Sequence, residues 1–455
     1  YFMTHYQSVQ AAEADVNIYV AEMRFFRALE YFNKIQLLGD VPWLEVDLNV
    51  DSEELYGPKM KRNQVFQKII EDMDFAIQWL PEAGSEEANR LNKDIARHVK
   101  ARFCLNEGTH YKYHDELEYA LEAEKWLQMA ATESDKLITS GRYEIYNTGH
   151  PQEDYFNMYR IDDKSDLKEA VLYVDYKTNI REHNMAAAGR EAGCGFSKSF
   201  VESFLCSDGL PISLSNKYLG DETMRKETAN RDPRLKQLIL TNDFPTNVTD
   251  DLKDSTFVVN EDEFITQHCF TGYRPIKGFN PIYSQALYMK SSFDGIAYRY
   301  AETLLINAEA KAELNTITNA DLDRTVNQLR DRVGMPHLTV NVGFTDPKWP
   351  DWGYSLSPVL QEIRRERCIE LAGEGFRFND LKRWKAGKLL NNVLTYVGKR
   401  KPDGNLAIVY PNYTNPDLSY QAGKSRTWED KMYLYPIPTG ELQRNPQLLP
   451  QNPGW

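Results

Sequence analysis

The sequence predicts a mainly α fold in which four helical hairpins are interrupted, after the second, by a long irregular insertion of loops and short strands. Three observations carry that reading. Apolar residues recur at three- and four-residue steps in four stretches before Gly141 and again beyond residue 298. Between Arg142 and about Ala297 this periodicity fails. The final stretch, Tyr433 to Trp455, holds five prolines at Pro436, Pro438, Pro446, Pro450 and Pro453. Proline fixes φ and removes a donor, so this tail is expected to lie extended, pinned by Tyr433, Leu434, Tyr435, Ile437, Leu442, Leu448, Leu449 and Trp455.

From Ala12 to Leu38, Val16, Val20, Met23, Phe26, Leu29, Phe32 and Ile35 mark one long amphipathic helix, stopped by Gly39 and Pro42. Asn63 to Leu80, closed by Pro81, is its partner. Lys93 to Gly108 and Glu118 to Ser140 supply a second pair, ending at Gly141. The insertion follows, with AVLYVDY from Ala170 to Tyr176 as a strand among glycine-, asparagine- and proline-containing turns. Helices resume over Tyr298 to Leu314, where Tyr300, Leu304, Ala308 and Ala312 form one stripe. Asn319 to Val333 is predicted as the partner of that helix. A fourth pair begins at Ser357, an N-cap with Pro358 at the first helical position, runs through about Ala372 and continues from Gly375 to Leu390. Hairpins of this kind without a strict period resemble degenerate tetratricopeptide units. The expected organisation is residues 1–141 for the first two hairpins, 142–297 for the insertion, 298–390 for the last two, and 391–455 for loops and tail, all in one integrated domain.

The 455-residue chain carries 67 acidic against 54 basic residues, a formal charge of −13, which argues against a nucleic-acid or anionic-membrane face. Aromatic residues make up 12% of the chain at a mean hydropathy of −0.59, so rings are expected at the surface, where they serve recognition. Cys104, Cys194, Cys206, Cys269 and Cys368 include no CxxC pair and read as buried thiols. No run of about 18 apolar residues would span a membrane. The N-terminal YFMTHYQSVQ has no secretory signal and begins as though partway into a helix, so upstream sequence is expected to be missing.

Catalytic motifs are sparse. No GxSxG, HExxH or GxxxxGK[ST] occurs, and Gly193-Cys194-Gly195 misses the third glycine of a dinucleotide fingerprint. DLDRTVN from Asp321 fails as a calcium loop, because Val326 takes the glycine position and Arg332 the glutamate position. His110 and His114 stand at i, i+4 but lack a third metal ligand, and read as a solvated pair. The segment from Ile363 to Trp384 is dense in opposite charges and reads as arginine–carboxylate pairs bridging packed helices rather than an anion site.

RYAETLLINAEAKAEL from Arg299, VNQLRDRVGMP from Val326, IRRERCIELAGEGFRFNDLKRW from Ile363 and YPIPTGELQRNPQLLPQNPGW from Tyr435 stand in that order towards the C-terminus. AEMRFFRALEYFNKIQLLGDVPW from Ala21 and SDGLPI from Ser207 precede them. With these motifs the chain resembles the SusD/RagB-like nutrient-binding lipoproteins of Bacteroidetes outer membranes. The resemblance implies a SusD-like fold and a surface-exposed, lipid-anchored, non-catalytic protein. Such a protein captures an oligosaccharide, or in some branches a peptide, and delivers it to a SusC-like TonB-dependent transporter barrel. The lipidated cysteine and leading segment of such precursors are not in this sequence. No cofactor or metal is expected.

A neutral sugar is gripped by aromatic faces stacking on its C–H surfaces and by polar groups on its hydroxyls. The first candidate platform is FTDPKWPDWGYS, where Trp349, Asp351, Trp352 and Tyr354 share a proline- and glycine-broken loop. The second is TGYRPIKGFNPIYSQALY, with Tyr273, Arg274, Phe279, Asn280 and Tyr283. Trp43 and Trp428 follow. The competing readings are a peptide-capturing protein, a tetratricopeptide adaptor and a helical glycoside hydrolase. The adaptor predicts a regular repeat and an uninterrupted groove; the hydrolase predicts reducing sugar released from polysaccharide.

Overall fold

A computed structural model describes residues 2–85, 89–185, 195–266, 268–408 and 426–455. The chain divides into two compact units. One comprises Tyr1–Thr139, Lys382–Gly387 and Trp428–Trp455; the other comprises Ser140–Leu381 and Lys388–Thr427.

In the first unit, α1 (Glu13–Leu38) packs on α2 (Arg62–Trp79) and α2 on α3 (Lys93–Tyr113), with α4 (Ala120–Ser140) beginning in the same unit. Phe32 stacks on Phe103 with centroids 3.9 Å apart, and Phe66 meets Trp126 edge-on at 4.8 Å. Gly108 lets α3 and α4 touch: a Cβ there would fall 2.9 Å from Leu127 Cγ, so a larger residue would force them apart. The helix expected to end at Gly108 continues to Tyr113. His110 and His114 are not a solvated pair. Both are buried with their rings stacked at 4.0 Å, and His114 Nε2 meets the Lys382 carbonyl at 2.8 Å. Burial, reinforced by Arg62, drives the His110 pKa well below the imidazole value, so it is held neutral.

The C-terminal tail is pinned but not extended throughout. Thr439–Arg444 forms a short helix directly after Pro438, whose fixed φ suits a helix start, and Pro446–Leu448 a 3₁₀ turn. Asparagine side chains do much of the pinning. Asn445 Nδ2 donates to the Gly57 carbonyl at 3.0 Å, and Asn452 Nδ2 donates to the carbonyls of Leu38 and Tyr435 at 2.9 and 2.7 Å.

In the second unit, β1 (Ala170–Val174) pairs antiparallel with β4 (Gly295–Arg299), Ala170 opposite Arg299 and Val174 opposite Gly295. That pairing shortens the helix expected from Tyr298, so α5 spans Tyr300–Glu313. The predicted partner over Asn319–Val333 is two helices, α6 (Asn319–Asp323) and α7 (Val326–Arg332). The Thr325 hydroxyl donates to the Asp321 carbonyl at the break. Ser357 caps α8 (Pro358–Glu370) as expected, its hydroxyl accepting the Leu360 N–H. The helix predicted to follow it, α9, is only Phe376–Arg383; Lys385 takes φ +49° just beyond its end, and Gly387–Asn391 is 3₁₀.

Charged residues of α7 and α8 meet in the interior. Arg332 pairs with Glu370 at 2.6 Å and Glu169 at 3.2 Å, Arg299 with Glu370 at 2.7 Å and Glu374 at 2.7 Å, and Arg234 with Asp232 at 2.7 Å and Glu370 at 3.0 Å. Burial alone would push the Glu370 pKa up. The guanidiniums of Arg332, Arg299 and Arg234 outweigh it and hold the group far below the usual carboxylate range. The charge-dense segment is thus a buried scaffold junction, as its sequence suggests. Of the five cysteines, Cys104, Cys206 and Cys269 are buried and Cys368 partly so; Cys194 lies outside the described residues.

Candidate functional site

The two candidate loops, both in the second unit, have different fates. In the first, the backbone from Asp346 to Tyr354 is folded down on the opening turns of α8. Asp346 anchors it, accepting from Arg365 Nη2 at 2.7 Å, the Ser213 hydroxyl at 2.8 Å and the Lys348 N–H at 2.8 Å. The indole of Trp349 donates to Glu362 Oε1 at 2.7 Å, and that of Trp352 to Gln361 Oε1 at 2.6 Å. Arg364 sits 4.7 Å from the Trp352 ring and donates to the Tyr354 hydroxyl at 3.1 Å while pairing with Glu313 at 2.9 Å. Asp351 turns back to accept the Gly353 N–H at 2.9 Å. Trp352 keeps only 6% of its surface exposed, and Trp349 is half-buried. The polar edges of these rings serve the scaffold.

The second loop runs through a small β layer. Residues 238–240 pair with 274–276: the Leu240 N–H donates to the Arg274 carbonyl at 2.8 Å and the Ile276 N–H to the Leu238 carbonyl at 2.9 Å. Tyr273 is fully buried, its hydroxyl donating to Glu227 at 2.7 Å, whereas Arg274 is partly exposed, its guanidinium 5.6 Å from the ring of buried Phe279. Asn280 shapes the next turn, its Oδ1 accepting the Ile282 N–H at 3.1 Å. The chain then runs beside β2 (Pro245–Val248), with the Val248 N–H on the Pro281 carbonyl and the Tyr283 N–H on the Val248 carbonyl, while β3 (Ser255–Phe257) flanks β2 on its other edge.

Arg274 and Tyr283 thereby meet Thr246, Asn247 and His268 along one open depression of about 580 Å³. Tyr283 is 52% exposed. Of the nine candidates, Tyr273 and Phe279 are core residues whose ring faces are covered, so neither can stack on a ligand. Thr246, Asn247 and His268 escaped the sequence reading because ring density, not polar hairpin composition, was the criterion; TNDFPTNVTDD around β2 was the available signal. Trp43, in the first unit, is partly buried against Tyr31 at 4.2 Å, and Trp428 packs where Gly387 has no side chain. Among the described residues no cluster of three or more His, Cys, Asp or Glu is arranged to hold a metal, and no helix is long and apolar enough to cross a membrane.

A sequence profile described as the SusD family matches residues 141–455, the whole of the segment that carries both loops. The chain belongs to the SusD family. Two relatives from Formosa agariphila, SusD-like proteins P2 and P25, are each 24% identical to it, covering 97% and 96% of this chain and 75% and 72% of their own length. The SusD fold is equally clear among solved structures. A SusD-like protein from Bacteroides fragilis superposes with a TM-score of 0.74 at 24% identity, covering all of this chain and 83% of that one. A SusD-like carbohydrate-binding protein from the same species gives 0.71 at 22%, covering 98% and 83%. Surface glycan-binding protein A from Bacteroides fluxus gives 0.60 at 17% identity, covering 100% and 82%.

Proposed function

We propose that this SusD-family protein captures an oligosaccharide at its surface and passes it, chemically unaltered, to a TonB-dependent transporter barrel in the outer membrane, where it is itself held by an N-terminal lipid. The observation that carries the reading is the depression around Arg274 and Tyr283: an exposed ring beside four polar side chains, the combination a sugar requires. Support comes from relatives whose names record carbohydrate or glycan binding. The role of Trp349, Asp351, Trp352 and Tyr354 in this reading is to brace the scaffold, Trp349 being the less covered of the two tryptophans.

One stacked ring contributes about 0.5–1.5 kcal/mol, so a few such contacts together with several hydrogen bonds to sugar hydroxyls give roughly micromolar to millimolar affinity, weak enough for hand-over. Calorimetry against a panel of plant, host and microbial polysaccharides tests the proposal. The expected result is binding to at least one glycan, weakened about 3-fold to 10-fold in Tyr283→Ala, with no reducing sugar released. Binding to peptides but to no glycan would replace it with the peptide-capture alternative.

A further inference from the structure

Resting on that capture reading, we infer that the site runs on from the depression along the loop of residues 282–291 to a second stacking face, Tyr288, and so takes an extended glycan chain in preference to a single sugar unit. Tyr283, at the edge of the depression, is 52% exposed and Tyr288 is 76% exposed. Leu287 and Met289 are exposed as well. Four large apolar side chains thus stand in solvent within seven residues, and no other seven-residue stretch of the described chain carries as many. Single exposed apolar residues are ordinary, whereas a contiguous run of them marks a recognition surface.

The loop that carries them is fastened along its length. The Tyr283 N–H is on the Val248 carbonyl, the Ser284 N–H on Asp250 Oδ1 and the Ala286 N–H on the Ile282 carbonyl, each at 2.9 Å. Towards its far end the Met289 N–H donates to Asn184 Oδ1 at 3.2 Å and the hydroxyl of fully buried Ser291 to the Gln285 carbonyl at 3.1 Å, while Ser291 and His183 exchange backbone bonds of 2.9 and 3.1 Å. A loop held this way has little freedom left to lose when a ligand settles on it. Among the described residues, neither tyrosine has a hydrogen bond on its hydroxyl or a ring or cation against its face. Each ring is therefore available to the C–H side of a sugar and each phenol to a sugar hydroxyl. Asn247, in the depression, is paired through β2 with Thr256 of β3 and keeps its side-chain amide, two donors and an acceptor, for further hydroxyls. The two rings stand five residues apart along the loop, a reach of no more than about 18 Å, which a short oligosaccharide bridges. Tyr283 belongs both to the depression and to the loop, so one chain can lie on both.

Calorimetry on the full chain with each polysaccharide of the panel, and with size fractions of it from monosaccharide to hexasaccharide prepared by partial hydrolysis, tests the inference. For at least one polysaccharide the affinity per chain should climb with length, the fraction that covers both rings binding about 3-fold to 10-fold more tightly than the shortest fraction that binds. Tyr288→Ala should remove most of that gain and Tyr288→Phe should keep it, whereas Tyr283→Ala should weaken short and long fractions alike. Tyr288 is exposed and without a described partner, so its variants should melt as the wild type does, which a thermal scan checks. Affinity that is flat with length, or a Tyr288→Ala protein that binds the longest fraction and the intact polysaccharide as wild type does, would overturn the inference and leave glycan capture standing. Binding to no polysaccharide and no fraction would remove the capture reading and this inference with it.

Discussion

The Trp349–Tyr354 loop and the Arg274–Tyr283 loop look alike in sequence, each a run of rings broken by proline and glycine, yet one is bolted to a helix and the other leaves a ring in solvent. The difference lies in what stands nearby. Gln361, Glu362 and Arg364, on the first turns of α8, each meet a polar edge of Trp352, Trp349 or Tyr354. An indole N–H or phenol that finds a buried partner is stabilised inside, and its ring goes with it. Tyr283 meets the scaffold through its backbone, whose N–H is on the Val248 carbonyl, so its ring stays free to stack. Ring density therefore locates an aromatic loop, and the supply of partners nearby decides whether its rings are covered or left exposed.

The largest effect that can break this contrast is on stability. Trp352→Ala empties a buried site and strands Gln361 and the face of Arg364, and should cost about 3–5 kcal/mol of unfolding free energy in a denaturant titration. Glycan affinity measured on the remaining folded protein should be unchanged. A variant that keeps its stability but loses binding would reverse the roles of the two loops.

Trp349→Phe is a finer probe, because it keeps the ring and deletes the N–H held by Glu362. Glu362 retains Arg365 at 3.2 Å, so the expected loss is about 1 kcal/mol, read from the denaturation midpoint. Affinity should stay within about twofold. If Trp349→Ala then lowers affinity as much as Tyr283→Ala does, Trp349 belongs to the site and the contrast must be redrawn with both loops contributing.

Much of the scaffold was legible before any coordinates. The Ala12–Leu38 helix, the Ser357 cap and the AVLYV strand follow from apolar spacing, a capping hydroxyl and β-branched residues, all of them local signals. What escaped was set by distant partners. Arg299 reads as the first turn of a helix, but its strand conformation answers to β1 and to the carboxylates of Glu169, Glu370 and Glu374. His110 and His114 read as a solvated polar pair because nothing local reveals the carbonyl of Lys382 that receives one of them. The exposure of the candidate site residues was half legible for the same reason. Arg274 and Tyr283 declare themselves by type, whereas Tyr273, one residue from Arg274, is drawn into the core by Glu227, a carboxylate 46 positions away that accepts from its hydroxyl.

The smallest effect separates the loops by acid. Burial would raise the pKa of Asp346, but hydrogen bonds from Arg365, the Lys348 N–H and the Ser213 hydroxyl prevail and hold it below the ordinary aspartate range. A carboxylate depressed in the folded state binds its proton more readily when the chain unfolds. Its contribution to stability is thus complete above the unfolded pKa near about 3.9 and is lost as pH falls through the folded value. The Trp349 loop should accordingly loosen only below about pH 4, seen as a change in tryptophan emission; in Asp346→Asn, which has no carboxylate to titrate, that acid-dependent change should vanish and the loosened emission should already be present at neutral pH. The depression is lined by no described carboxylate, so the accessibility of Tyr283 to a surface-labelling reagent should be unchanged over the same interval. Simultaneous loosening of both regions would mean that the anchor at Asp346 is not what distinguishes them.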